Sequence, residues 1–197
     1  AALYWYLHDH PSLLCLHGAA VLIGTTLVCF PARDFAGKST LVAMLAQLGH
    51  KVFADDVLGL SGRHCTGYAL GFSPRLRTPL PEQLPEALHR YVADVHGPRG
   101  PGWTYLSLPA SQQAKLAEKH DVGAVVMLER VSGETARMAQ TKQATVLQNL
   151  IAENIIRQLP MLEIFNRLER LSRRVPRYLL RYDDPLIAAN LLTEQFS

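Results

Sequence analysis

The sequence predicts a single α/β domain over residues 1–197, on three observations. Apolar runs such as "LLCLHGAAVLIGTTLVCF", "KVFADDVLGL", "VGAVVMLER" and "VPRYLLRYD" read as strands. Segments between them carry apolar residues at helical spacing. The two kinds alternate, which is the pattern of a sheet covered by helices.

Leu3 to His10 reads as a short helix or a strand, ended by Pro11. The first long apolar run divides at Gly24-Thr25 into a hairpin whose second strand, Thr26 to Phe30, feeds a loop. From Lys38 the spacing Leu41, Leu45, Leu48 is helical, and Gly49 stands where a helix ends. "KVFADDVLGL" is a buried strand interrupted by two acids. Arg63 to Gly102 is rich in Pro and Gly, with a short helix at Glu82 to Ala93, and Gly97 to Gly102 reads as a mobile loop. "VGAVVMLER" is a further strand. Gln143 to Gln158 places Leu147, Leu150, Ile151 and Ile155 on one helical face, and after Pro160 a second helix carries Leu162, Phe165, Leu168 and Leu171. "VPRYLLRYD" closes the sheet, and Asp184-Pro185 opens a final short helix.

Apolar residues at 48% and charged residues at 19% exclude a disordered chain. A net charge of +3 with a pI near 8.9 is too mild to argue for nucleic acid. No apolar run reaches the roughly 20 residues of a membrane span. Cys15, Cys29 and Cys65 form no CxxC pair and leave one over under any disulfide scheme, as reduced thiols of a cytoplasmic protein do. The chain starts at Ala1 close to a core strand, so a trimmed N-terminus or a piece of a longer chain is expected.

The chemistry gathers in "FPARDFAGKSTL", Phe30 to Leu41. Ala36-Gly37-Lys38-Ser39-Thr40 matches the end of the phosphate-loop pattern G-x-x-x-x-G-K-[ST], between a strand and a helix as that pattern requires. Helix-start amides and the helix dipole attract phosphate, Lys38 reaches the outer phosphates, and the Ser39 hydroxyl ligates Mg²⁺. Ala32 stands where the pattern has its first glycine, and Phe35 where a small residue lets the loop curl. At positive φ either would carry roughly 1 kcal/mol of strain or more.

Asp55 and Asp56 follow sixteen residues after Ser39, at the end of an apolar strand. Adjacent strand residues face opposite ways, so one acid is expected toward metal and phosphate and the other toward a different partner. His17, on the strand paired with the one that delivers the loop, is either a core histidine or a group that orients a carboxylate or binds phosphate. Asn166 to Arg181 carries Arg167, Arg170, Arg173, Arg174, Arg177 and Arg181, read as a helical basic face. That face either lies in solvent beside Glu163 and Glu169, or docks an acidic partner, a second subunit or a nucleotide.

Together, "LHGAAVLIG", "FPARDFAGKSTL" and "FADDVLGL" resemble the kinase domain of bacterial HPr kinase/phosphorylase, in order and spacing. The likeness runs from Leu14 to Leu60, and "VPRYLLRYDDP" is similar to that family's last strand and helix. It implies a P-loop kinase domain with a mixed central sheet flanked by helices, using ATP or another nucleoside triphosphate with Mg²⁺. The implied acceptor is a serine or other hydroxyl of a protein, peptide or small molecule.

By the same resemblance Lys38 is catalytic, and Asp55 and Asp56 supply a general base and a metal- or water-binding acid. Ser39 and Asp56 are expected at Mg²⁺, and His17 beside the base. Glu129, Arg75 and Arg77 are candidates for the family's later metal-associated glutamate and its arginine loop. HPr kinases assemble as hexamers, which makes a homo-oligomer an expectation here. Two alternatives stay open: a nucleotide-binding regulatory module with a degenerate loop, and an ATPase driving assembly.

Overall fold

The computed structural model describes residues 6, 8–32, 36–61, 65–155 and 159–197. In the first expected element Tyr6, His8 and Asp9 are helical, while residues 3–5 and 7 lie outside the described residues, as do Phe35, Arg63 and Gln158.

Strand β1 (Leu14–Ile23) turns at Gly24-Thr25 into β2 (Thr26–Pro31), with Ile23 opposite Thr26. Gly24 has φ +56, a conformation that suits glycine in a two-residue hairpin turn. Strands β3 (Lys51–Ala54) and β4 (Val57–Ser61) both lie antiparallel to β1, so Asp55-Asp56 is a corner within the expected strand. β5 (Thr66–Tyr68) pairs with β4, and β9 (Lys119–Arg130) pairs with β5 at its start. β9 then runs parallel to both β2 and β11 (Arg177–Tyr182), and β10 (Arg137–Gln140) edges the sheet antiparallel to β11. The sheet is mixed, with antiparallel pairings in the majority. A second sheet has the order β6 (Arg75–Arg77), β8 (Trp103–Leu106), β7 (His96–Gly100).

Beyond the helical residues Tyr6, His8 and Asp9, the described residues hold five α-helices: α1 (Lys38–Gln47), α2 (Glu86–Asp94), α3 (Gln143–Ala152), α4 (Met161–Arg174) and α5 (Pro185–Phe196). Helices α1 and α5 pack on one side of the large sheet, whose Val21, Ile23, Val28, Phe30 and Val126 belong to the same core, and α2 packs on α1. Helices α3 and α4 pack on the other, against Leu16, Ala20, Leu27, Cys29 and Val125. Both faces are covered, which is why the strands read as nearly continuous apolar runs. The three cysteines are buried free thiols. Among the described residues no helix is long and apolar enough to cross a membrane.

Four expectations change. Gly97 to Gly102 is the end of β7 and a tight turn into β8, with Gly102 at φ +78 after Pro101, as a type II turn uses that pair. Pro98 falls where the β7–β8 register shifts, a place where a missing N–H costs no ladder bond. Helix α3 buries Val146 and Leu150 while Ile151 and Ile155 are exposed, and α4 buries Ile164, Leu168 and Leu171 while Leu162 and Phe165 are exposed. The basic run divides at Pro176, so Arg177 and Arg181 belong to β11 and not to a helix. Arg177 donates to the Ser172 carbonyl and Arg181 pairs with Glu129, while Arg167 and Arg173 pair with Glu163 and Glu169.

Candidate functional site

The chain leaves β2 at Pro31 and enters α1 at Lys38. Gly37 caps the helix in the left-handed region, φ +86, and a Cβ there would stand 2.8 Å from the Tyr182 hydroxyl. Both facts demand glycine. Tyr182, at the end of β11, donates to the Ala36 carbonyl at 3.3 Å and so ties the loop to the closing strand. Ala32 is buried and is not among the described non-glycine residues with positive φ, which are Asp56, Cys65 and Ala117. The strain expected of an alanine at the loop's first position is therefore not incurred, and Phe35 lies outside the described residues.

Lys38, the first helical residue, is 5% exposed, and its Nζ donates to the Ala32 carbonyl at 2.6 Å. The same Nζ lies 3.5 Å from His17 Nε2. An ammonium only donates, so in the neutral imidazole Nε2 is the acceptor and Nδ1 bears the proton. Nδ1 lies 3.1 Å from Glu153 Oε2, and the His17 amide donates to the Glu153 carbonyl at 2.7 Å. Glu153, 7% exposed, is thus held by a histidine that itself touches the loop lysine.

Nothing in the sequence singles out Glu153, because it falls inside Gln143 to Gln158, read as one helix. The helix stops at Ala152, and Asn154 bridges to Leu16 of β1, which carries Glu153 inward. The residue after His17 is fixed by packing: a Cβ on Gly18 would stand 2.9 Å from the Phe30 carbonyl oxygen across the hairpin.

The two acids part at the corner between β3 and β4. Asp55 is 2% exposed, and its carboxylate accepts from the Ser39 hydroxyl at 3.2 Å and from the Arg75 amide at 3.0 Å. Burial pushes its carboxyl up to about 6, against the pull of the Arg75 amide, the Ser39 hydroxyl and Lys38. The Val57 amide donates to the Asp55 carbonyl at 2.9 Å, closing a γ-turn around Asp56 at φ +68. That is the rarer, strained form of the turn. It projects Asp56 outward, its carboxylate 3.5 Å from the Arg75 guanidinium.

The fold therefore gathers His17, Lys38, Ser39, Asp55 and Asp56, with Ala36, Gly37 and half-buried Thr40 in the same loop and first turn. The sequence pairs Ser39 with Asp56 at the metal; the carboxylate that meets Ser39 is that of Asp55. Arg75 joins the cluster through both its amide and its side chain, whereas Glu129 pairs with Arg181 through two contacts of 2.9 Å. Among the described residues no three His, Cys, Asp or Glu side chains converge as a metal cage. The Ser39–Asp55 oxygen pair does suit a hard divalent cation that keeps phosphate oxygens and waters as its other ligands.

No protein-family profile matches the sequence, and a comparison with curated proteins returns no significant match. Among solved structures, the chain is similar to the Hpr(Ser) kinase/phosphatase from Coxiella burnetii at 16% identity and a TM-score of 0.44. That likeness covers 92% of this chain and 95% of the other. At this level neither family nor function transfers, and a reading of the site rests on the chain's own residues.

Proposed function

We propose that the chain is a phosphotransferase that moves the γ-phosphoryl group of a nucleoside triphosphate to a hydroxyl of a protein, peptide or small molecule. One observation carries the reading: at the N-terminus of α1, Lys38, Ser39 and a buried Asp55 with a carboxyl raised to about 6 share one cluster. The first amides of a helix lack intrahelical acceptors and favour phosphate. Ser39 and Asp55 would hold Mg²⁺, which when bound supplies charge stabilisation at the phosphates. Asp56, exposed at the corner, accepts the proton of the attacking hydroxyl as its oxygen bonds to the γ-phosphorus and the bond to the bridging oxygen breaks. Arg75, against both acids, steadies the corner. Glu153 holds His17 in the tautomer that faces Lys38.

Binding without turnover is the second reading. It is favoured by Lys38, whose Nζ is engaged by the Ala32 carbonyl and lies against His17. Calorimetric titration of ATP with Mg²⁺ into the protein and into Lys38→Ala tests the first requirement. Heat from the intact chain that vanishes in the variant supports a working phosphate loop, and silence from both refutes the proposal. Label appearing on a hydroxyl acceptor separates transfer from mere binding.

A further inference from the structure

The small sheet of β6, β8 and β7 has one face in the core and one outside. Leu76, Thr104 and Leu106 are buried, the two leucines in the same core as α1. The alternate residues face the other way: Arg75 and Arg77 are exposed, and Trp103 and Tyr105 are half-buried. In the antiparallel register Arg75 stands opposite Tyr105 and Arg77 opposite Trp103, so the four side chains share one face.

Two packing facts fix the aromatic half of that face. The rings of Trp103 and Tyr105 meet edge-on, with centroids 5.2 Å apart. A Cβ on Gly100, which is paired with Trp103, would stand 2.5 Å from the indole, so the ring lies against backbone that only glycine leaves bare. The charge is of one sign: the three strands carry Arg75, Arg77 and Arg99 and no Asp or Glu. The face also adjoins the acids, because the Arg75 guanidinium reaches Asp56 at 3.5 Å while its amide donates to Asp55.

We infer that this face seats the acceptor, and that the acceptor is an extended acidic peptide segment. Its hydroxyl residue lies at Asp56 and Arg75, a carboxylate two residues away meets Arg77, and the chain crosses the rings of Trp103 and Tyr105. This rests on the transfer reading above. The spacing follows from strand geometry: Arg75 and Arg77 are about 7 Å apart along β6, which is also the distance between alternate side chains of any extended chain. A carboxylate one residue from the hydroxyl would point away from the sheet. Single-stranded nucleic acid also uses arginines and stacked rings, but it carries a phosphate at every residue and would press one against Asp56.

The test is fluorescence anisotropy with labelled peptides that hold one serine in a neutral background and one glutamate placed in turn one, two or three residues to either side. It is run beside calorimetry with Mg²⁺-loaded ATP. Glutamate two residues from the serine, on one side, should tighten binding about two- to fivefold over glutamine at the same place, and odd spacings should not. Arg77→Gln should erase that margin, and Arg77→Glu should move the preference to lysine at the same position, which also reports that the variant folds. Trp103→Ala should weaken the glutamate and glutamine peptides alike. With ATP present, the margin should appear in the KM for the peptide rather than in kcat. Absence of peptide binding, equal gains at every glutamate position, a margin that survives Arg77→Gln, or an oligothymidylate that binds tighter than the glutamate peptide would overturn the peptide seat and leave the phosphate loop standing. Peptide binding by a chain that gives no heat with ATP would refute the transferase and, with it, the acceptor's role.

Discussion

Replacing Asp55 by asparagine should make the protein more stable near neutral pH while abolishing the proposed phosphoryl transfer. Burial holds the carboxyl at about 6, where an ordinary aspartate lies at 3.8. Between those values the folded chain keeps a proton that the unfolded chain has released. The stabilisation from that proton is complete below 3.8, falls as pH rises through the window, and is gone above about 6. A displacement of about two pH units, at about 1.4 kcal/mol each, amounts to about 3 kcal/mol. Asparagine cannot ionise and escapes the loss, while its Oδ1 still accepts from the Arg75 amide.

At about pH 7.5 the variant should therefore gain up to about 3 kcal/mol, or about 6–12 °C in Tm for a chain of this size. Below about pH 4, where Asp55 is itself protonated and neutral, the two proteins should converge. Thermal or urea unfolding of both proteins across that range measures the difference. Glu118 and Glu129, whose carboxyls are held low by Lys51 and Arg181, act with the opposite sign at more acid pH and cancel in the comparison. A difference independent of pH, or a variant whose relative stability falls as pH rises, would refute the reasoning.

Gly37→Ala should cost about 1–2 kcal/mol for left-handed backbone alone, beyond the contact with the Tyr182 hydroxyl. Adding Tyr182→Phe should return the contact portion and not the rest, and a double variant no better than the single one in urea unfolding would contradict the packing argument. Gly18→Ala should lose about 1–3 kcal/mol by thermal unfolding, since the atoms its Cβ meets are backbone of the paired strand and cannot rotate away. A Tm unchanged within about a degree would show that the hairpin yields there. Glu153→Leu should lower the turnover of phosphoryl transfer with little change in nucleotide KM, and Glu153→Gln should restore most of it; equal losses in both would assign Glu153 a purely structural part.

The strands were legible because a sheet covered on both faces demands apolar residues at consecutive positions, and such runs survive in the sequence as blocks. The faces of α3 and α4 were less so. Helix α4 carries Met161, Leu162, Ile164, Phe165, Leu168 and Leu171, more apolar positions than one stripe holds, and only packing against Val146 and Leu150 selects Ile164, Leu168 and Leu171. Arg177 and Arg181 continue the charge pattern of α4 across Pro176, so charge alone did not mark where the helix ends. At the site, the pair Asp55-Asp56 announced itself, but strand alternation could not divide its roles. The division comes from a corner at φ +68, which spacing does not encode. Glu153 reaches His17 across 136 positions of sequence, a contact that only the tertiary fold creates.

That corner also limits how the chain can drift. A left-handed residue at the centre of a γ-turn costs least as glycine and is tolerated as asparagine or aspartate better than as most others. Geometry alone thus confines position 56 to a short alphabet, and an aspartate found there in a descendant chain would mean less than it first suggests. The informative comparison lies within that alphabet. Asparagine and glycine would keep the corner while removing the charge beside Arg75, so lineages free of any demand for a carboxylate should scatter among all three. A lineage that holds to aspartate has been filtered by chemistry rather than by shape, and one codon records which force acted.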